Sequence, residues 1–188
     1  TSFTGYSMTL AYHKSLQLIK NSVHANKDDI IIAYGSGMTR CVNKFQRILG
    51  VRIHEKYKNH ILLNEKDRPV VFVTHMEHHS NHTSWLETIA EVVVIEPDKK
   101  GLINLDYFEE MLNKYKNRKT KFAAITACSN VTGIVTPYYA ISELMHKHNG
   151  YCFVDFAYSA PYVHIDMHPE NHEQRVDAIF FSPHKFLG

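Results

Sequence analysis

The residues able to do chemistry fall in a few short segments. Ser182-Pro183-His184-Lys185 sets a lysine in a polar turn directly after an apolar run. In an open turn that lysine is a solvated cation. Desolvated in a cleft, it loses proton affinity and becomes an amine able to form a Schiff base. Asp155 closes another apolar run, Tyr-Cys-Phe-Val, where an unpaired carboxylate would be costly. A salt bridge or a helix cap would satisfy it, and so would a cationic group on a ligand. Gly35-Ser36-Gly37-Met38-Thr39 opens a helical pattern. Free N–H groups at such a start attract a phosphate, although the same residues also make a plain strand-to-helix turn. The segment is not G-x-G-x-x-G, because Arg40 takes the last glycine position, and it is not a P-loop. That disfavours a nucleotide but not a single phosphate group. Cys128-Ser129-Asn130, with Thr132-Gly133 close behind, adds an amide.

Histidine is abundant, with 14 in the chain. In His75-Met76-Glu77-His78-His79-Ser80-Asn81-His82 the pairs His75/His79 and His78/His82 are four apart, a spacing that on a helix could share a metal ion. The order of residues fits neither H-E-x-x-H nor H-x-x-E-H, and no cysteine joins the group. A metal would also leave Asp155 and Lys185 unexplained. His164, His168 and His172 are interrupted by Pro169 and read as surface residues.

These residues must be positioned by the elements between them. Apolar runs at 30–34, 70–74, 91–95, 122–126, 151–154 and 178–181 are continuous rather than alternating, as expected for strands buried on both faces of a parallel sheet. Between them lie amphipathic stretches. Val42, Phe45, Ile48 and Leu49 share one helical face. Leu105, Phe108, Met111, Leu112 and Tyr115 share another, with Asn104 as a cap. Ile141, Leu144 and Met145 form a third, after Pro137 and before Asn149-Gly150. Residues 9–21 and 84–90 are also read as helical. The alternation predicts an α/β fold, three layers (αβα) around a mostly parallel sheet, in one domain. In open sheets of this kind ligands bind outside the carboxyl ends of the strands, where all the segments above gather.

Composition narrows the alternatives. The chain has 188 residues, 44% hydrophobic and 21% charged, with a formal net charge of +2. That charge is too small for a nucleic-acid footprint, and no apolar run approaches a membrane span. No signal peptide is visible at Thr1-Ser2-Phe3-Thr4-Gly5. Three dispersed cysteines, Cys41, Cys128 and Cys152, favour ordinary core thiols in a reducing, cytoplasmic setting over a disulfide scaffold.

Taken together, the segments resemble a known family. Ser182-Pro183-His184-Lys185 after a strand, with Val154-Asp155 upstream, resembles the pyridoxal-phosphate lysine region of fold-type I enzymes. Glu77-His78-His79-Ser80-Asn81 and Ser129-Asn130-Val131-Thr132-Gly133 resemble the E-H-H-x-N and S-N-x-x-G segments of class V aminotransferases, in the cysteine desulfurase and selenocysteine lyase branch. The resemblance runs from about Ile30 to Gly188. It implies that Lys185 carries the cofactor as a Schiff base and later shuttles the substrate's α-proton. It implies that Asp155 pairs with the pyridinium nitrogen. His78 would stack on the ring, with His79 the second choice. Met38, Thr39, Ser182 and His184 would hold the phosphate, and Asn130 would lie near the ring's oxygen side.

Two positions depart from the pattern. Tyr158 stands where desulfurases usually place a glutamine on the cofactor's phenolic oxygen, and Arg40 stands where a small residue or glutamate is more usual. The resemblance also implies that the family's small domain lies beyond the lysine and that the working enzyme is a homodimer. Residues 1–188 are therefore expected to be an incomplete cofactor-binding large domain. The expectation is a pyridoxal-phosphate-dependent transferase or lyase acting on an amino acid. The alternative is a non-catalytic α/β module holding a metal at His75, His78, His79 and His82.

Overall fold

The computed structural model describes residues 2–58 and 60–186. Its centre is a sheet of five parallel strands: β1 (Val70–Thr74), β2 (Glu91–Ile95), β3 (Lys121–Thr126), β4 (Tyr151–Asp155) and β5 (Ala178–Phe180). They lie in the order β2-β1-β3-β4-β5. β1 and β3 are buried along their whole length, as continuous apolar runs require of strands covered on both faces.

The helices are α1 (Phe3–Ser22), α2 (Met38–Ile48), the short α3 (Glu55–Lys58), α4 (His79–Leu86), α5 (Leu105–Lys114) and α6 (Tyr138–Lys147). They split the core in two. Phe72, Ile125 and Val154 face Phe108, Leu112 and Met145 of α5 and α6 on one side of the sheet. On the other side Val71, Val73, Phe122 and Phe153 meet Trp85 of α4 and Phe45 of α2. Trp85 and Phe153 lie nearly parallel, with ring centroids 6.4 Å apart. The result is the expected three-layer α/β architecture. Local signals act where they were read. Asn104 Oδ1 accepts the Tyr107 N–H at 3.0 Å to start α5. α6 ends through Asn149, left-handed at φ 56°, and the Gly150 N–H closes on Met145 O at 2.8 Å.

Four expectations need correction. Residues 30–34 form no strand: no described strand pairs with them, and Ile30 is 86% exposed. β-propensity becomes structure only through a neighbouring ladder. On α2 the buried face includes Gln46 in place of Ile48. The Gln46 amide is satisfied, donating to Ser84 Oγ at 2.9 Å and accepting from Arg52 Nη1 at 3.0 Å. The helix expected over 84–90 is α4, which begins at His79 because His78 caps it. Among the loop histidines, His168 is held rather than free on the surface, with Nε2 2.7 Å from Asp29 Oδ2.

Met145 is fully buried beneath β3 and β4, whereas Val131 is 84% exposed. Met145→Ala is expected to cost about 2–5 kcal/mol in urea unfolding, and Val131→Ala under about 0.5 kcal/mol. Equal losses would contradict this assignment of the core.

Candidate active site

A parallel sheet sends the carboxyl ends of all its strands to one edge. A cleft of about 210 Å³ opens there. Met38, Thr39, His78, Asn130, Asp155, Tyr158, Ser182, His184 and Lys185 all line it, from five separate stretches of chain.

The glycine loop enters α2 through Gly37, whose φ of 82° favours a residue without a Cβ. Gly37 offers α2 no side-chain cap, so the first N–H groups of the helix would be orphaned. One of them is satisfied across the fold: the Met38 N–H donates to the buried Ser182 Oγ at 2.9 Å. This bond joins the loop to the lysine segment. The hydroxyl proton of Ser182 is left to donate elsewhere.

Asp155 ends β4 and is 5% exposed. Among the described residues only one hydrogen bond reaches its carboxylate, from the Ala157 N–H to Oδ1 at 2.8 Å. Burial pushes its carboxyl up to about 6, opposed by that N–H and by the positive charge of Lys185. Such an acid gains from a cationic neighbour. Lys185 lies on a short turn, Pro183–Lys185, with its side chain exposed at the rim rather than desolvated. His78 has a double task. Its Nδ1 accepts the Ser80 N–H at 3.2 Å and lies 2.8 Å from Ser80 Oγ, capping α4. A ring that accepts at Nδ1 carries its proton on Nε2. Asn130 is presented by a turn in which Ser129 N–H donates to Ile134 O and Gly133 N–H donates to Ser129 O, both at 2.9 Å.

Other residues fall elsewhere. Arg40 folds back over Gly35 and lines a second cleft with Tyr34, Lys44 and Arg47. His79 does not line the first cleft. His75 lies 3.0 Å from Gly101 O through Nε2, and since α4 starts at His79 the i,i+4 pairs do not share one helix. Among the described residues no three His, Cys, Asp or Glu side chains come together as a metal site. Sequence reading missed Thr126 and Ser80, which line the cleft, and Glu77, which lies behind it. Thr126 was legible as the end residue of β3. Cys128 also lines the cleft, and burial pushes its thiol up.

A family model described as aminotransferase class-V matches residues 4–188. The chain belongs to the class-V aminotransferase family. It is 31% identical over 188 residues to a probable cysteine desulfurase of Halalkalibacterium halodurans, covering 98% of this chain and 41% of that protein. Among solved structures it is similar to the cysteine desulfurase CsdA of Escherichia coli, with TM-score 0.71, 21% identity and coverage of 97% of this chain and 42% of that one. It is also similar to an apo cysteine desulfurase of Thermococcus onnurineus, with TM-score 0.69, 20% identity and coverage of 94% and 40%. The fold is thus that of the fold-type I large domain, and the chain spans less than half the length of these relatives. Among the described residues no helix is long and apolar enough to cross a membrane.

In this class-V chain the raised Asp155 carboxyl has a consequence for stability. The folded state keeps that proton over a pH range in which the unfolded chain has released it. Stability from this group is therefore present below about pH 4 and lost as pH rises through about 6. Asp155→Asn is expected to stabilise the chain at pH 8 by up to about 3 kcal/mol, with the gain vanishing near pH 4. Denaturant unfolding at the two pH values measures it. A variant weaker than the parent at both would make the carboxylate a structural bond.

Proposed function

We propose that the protein is a pyridoxal-phosphate-dependent enzyme acting on the α-carbon of an amino acid, with Lys185 as the covalent attachment point of the cofactor. One observation carries this reading: Lys185, the buried Asp155 and the start of α2, which has no capping side chain of its own, converge on a single cleft. The donor set fits the group. A Cβ at Gly37 would lie 3.5 Å from His184 Cε1 and 3.8 Å from Ser182 Oγ, so glycine keeps the space between loop and lysine segment open. The family supports the reading, since its members include the cysteine desulfurases among the relatives.

Thr39, Ser182 and His184, with N–H groups at the start of α2, would hold the phosphate. The Asp155 carboxylate would keep a proton on the ring nitrogen. His78 would cover a ring face, and Asn130 and Tyr158 would donate to the ring's oxygen substituent. The amine of Lys185 would hold and return the proton of the substrate's α-carbon. When bound, the cofactor supplies an electron-poor ring that disperses the negative charge left on that carbon. Cysteine is the substrate to test first, because the relatives are named for its desulfuration. A homodimer in a reducing cytoplasm completes the proposal, consistent with three free cysteines among the described residues.

The test is a visible absorption scan with pyridoxal phosphate, then borohydride reduction and peptide mass mapping of the protein and of Lys185→Ala. The expected result is a yellow band and a reduced adduct on the Lys185 peptide, both lost in the variant. Asp155→Ala should need about tenfold more cofactor, the loss of roughly one charge-assisted contact. Equal labelling of the Lys185→Ala variant, on other lysines, would overturn the proposal.

A further inference from the structure

Glu77 belongs to no role assigned above, yet it sits where the β1–β3 ladder stops before the strands end. From β1 the chain crosses through α4 to β2 on one side, then returns through α5 to β3 on the other side. The β1–β3 boundary is therefore the topological switch point, where ligand crevices form. The ladders show the consequence. β1 pairs with β2 along its full length, and β3 with β4 up to Thr126 and Asp155. Between β1 and β3 the register runs only from Val70 and Lys121 to Phe72 and Ala123. Beyond it the strands part, and their polar groups need other partners.

Two side chains fill the gap. Glu77 Oε1 accepts the Thr126 N–H from β3 at 2.8 Å, the Thr74 hydroxyl from β1 at 2.7 Å and the Thr74 N–H at 3.3 Å. Its Oε2 accepts from Asn81 Nδ2 at 2.8 Å. Asn81 Nδ2 also donates to Ala124 O of β3 at 3.1 Å, and Asn81 Oδ1 accepts from Trp85 Nε1 at 3.1 Å. All four groups around the Glu77 carboxylate are donors. The Thr74 hydroxyl also accepts the Met76 N–H at 3.1 Å, which leaves its proton for Glu77 and one lone pair spare.

We propose that Glu77 is a positioning residue: its carboxyl group splices the parted ends of β1 and β3 and thereby presents His78 and Asp155 to the same cleft. His78 is its chain neighbour, and Asp155 is the register partner of Thr126. The role assigned to that presentation rests on the cofactor reading above; the splice itself does not. Beyond the four donors, the titratable groups that act on Glu77 are Asp155 and Cys152, both on β4, while α4 turns Asn81 and Trp85 towards it. Dehydration and the Asp155 charge lift the Glu77 carboxyl to about 7, against the pull of its donors.

Glu77→Gln and Glu77→Asp test this without cofactor. Gln leaves its amide facing the Asn81 amide, donor to donor, and removes the charge. Asp keeps the charge but retracts it. In Glu77→Gln, exchange of the Thr74 and Thr126 amides should quicken at least about tenfold while β2 amides hold. In Glu77→Asp, which keeps the carboxyl but retracts it, the amides should loosen less than in Glu77→Gln. Glu77→Asp also serves if Glu77→Gln does not fold. Capture of pyridoxal phosphate on Lys185 should need about tenfold more cofactor in Glu77→Gln. Unchanged amides would overturn the splice. Loosened amides with unchanged capture would make Glu77 structural only. Absence of capture in the parent would instead sink the cofactor reading and leave the amide measurement to decide the splice.

Discussion

The hydrogen bonds between Glu77 and the ends of β1 and β3 are the interaction on which the rest of the site depends. A parallel sheet makes a crevice by sending successive crossovers to opposite faces, and the crevice exists only because two adjacent strands are allowed to part. Parting leaves backbone N–H and C=O groups without ladder partners in the protein interior, a cost few folds leave uncompensated. Here the compensation comes from one short segment. Glu77 takes the N–H groups, Asn81 donates to Ala124 O, and Trp85 anchors Asn81 in the apolar layer beneath. The same segment carries His78 and starts α4. The residue that lines the cleft and those that close the gap are therefore placed by one short segment of chain.

Electrostatics follow from that arrangement. Asp155 and Glu77 are both carboxylates pushed towards their protonated forms by dehydration, and the coupling between them raises Glu77 further. Lys185 is the cation that acts on Asp155. A cleft floor with this charge is poised for a cationic occupant, and the uncapped start of α2 across from it is poised for an anionic one. A ligand with a cationic ring at one end and a phosphate at the other satisfies both ends at once. Neither end alone would select it.

Much of this was legible in the sequence, and the reasons are local. Strands buried on both faces announce themselves as continuous apolar runs, so β1 to β5 were readable within a residue at each end. Asn104 and Pro137 marked helix starts through chemistry that acts over three or four residues. The strand ends pointed to the segments and the family resemblance to the nine residues within them, and the sheet brings all nine to one cleft because its strand ends converge by topology. What was not legible depends on partners far away in the chain. Residues 30–34 carry the composition of a strand but pair with no described strand. Gln46 is buried only because Ser84 and Arg52 meet its amide. Glu77 looked like one letter of a histidine-rich run, since nothing local reveals that β1 and β3 part beside it.

The bond from Met38 N–H to Ser182 Oγ carries the same lesson to the cleft itself. It spans 144 positions, linking the start of α2 to the turn that holds Lys185. Gly37 brings the loop close to that turn, and Ser182 supplies the cap that glycine cannot. Neither segment is complete alone: the helix start has no capping side chain of its own, and the serine has no backbone donor until the loop arrives. An anion seated between them would meet donors from both segments. On the proposed reading its binding energy would hold together the two parts of the chain that flank the lysine, so that placing the phosphate would also place the amine. For a covalent reaction at Lys185 that would be an economical arrangement, because the group anchoring the ligand would be bonded to the turn that carries the amine.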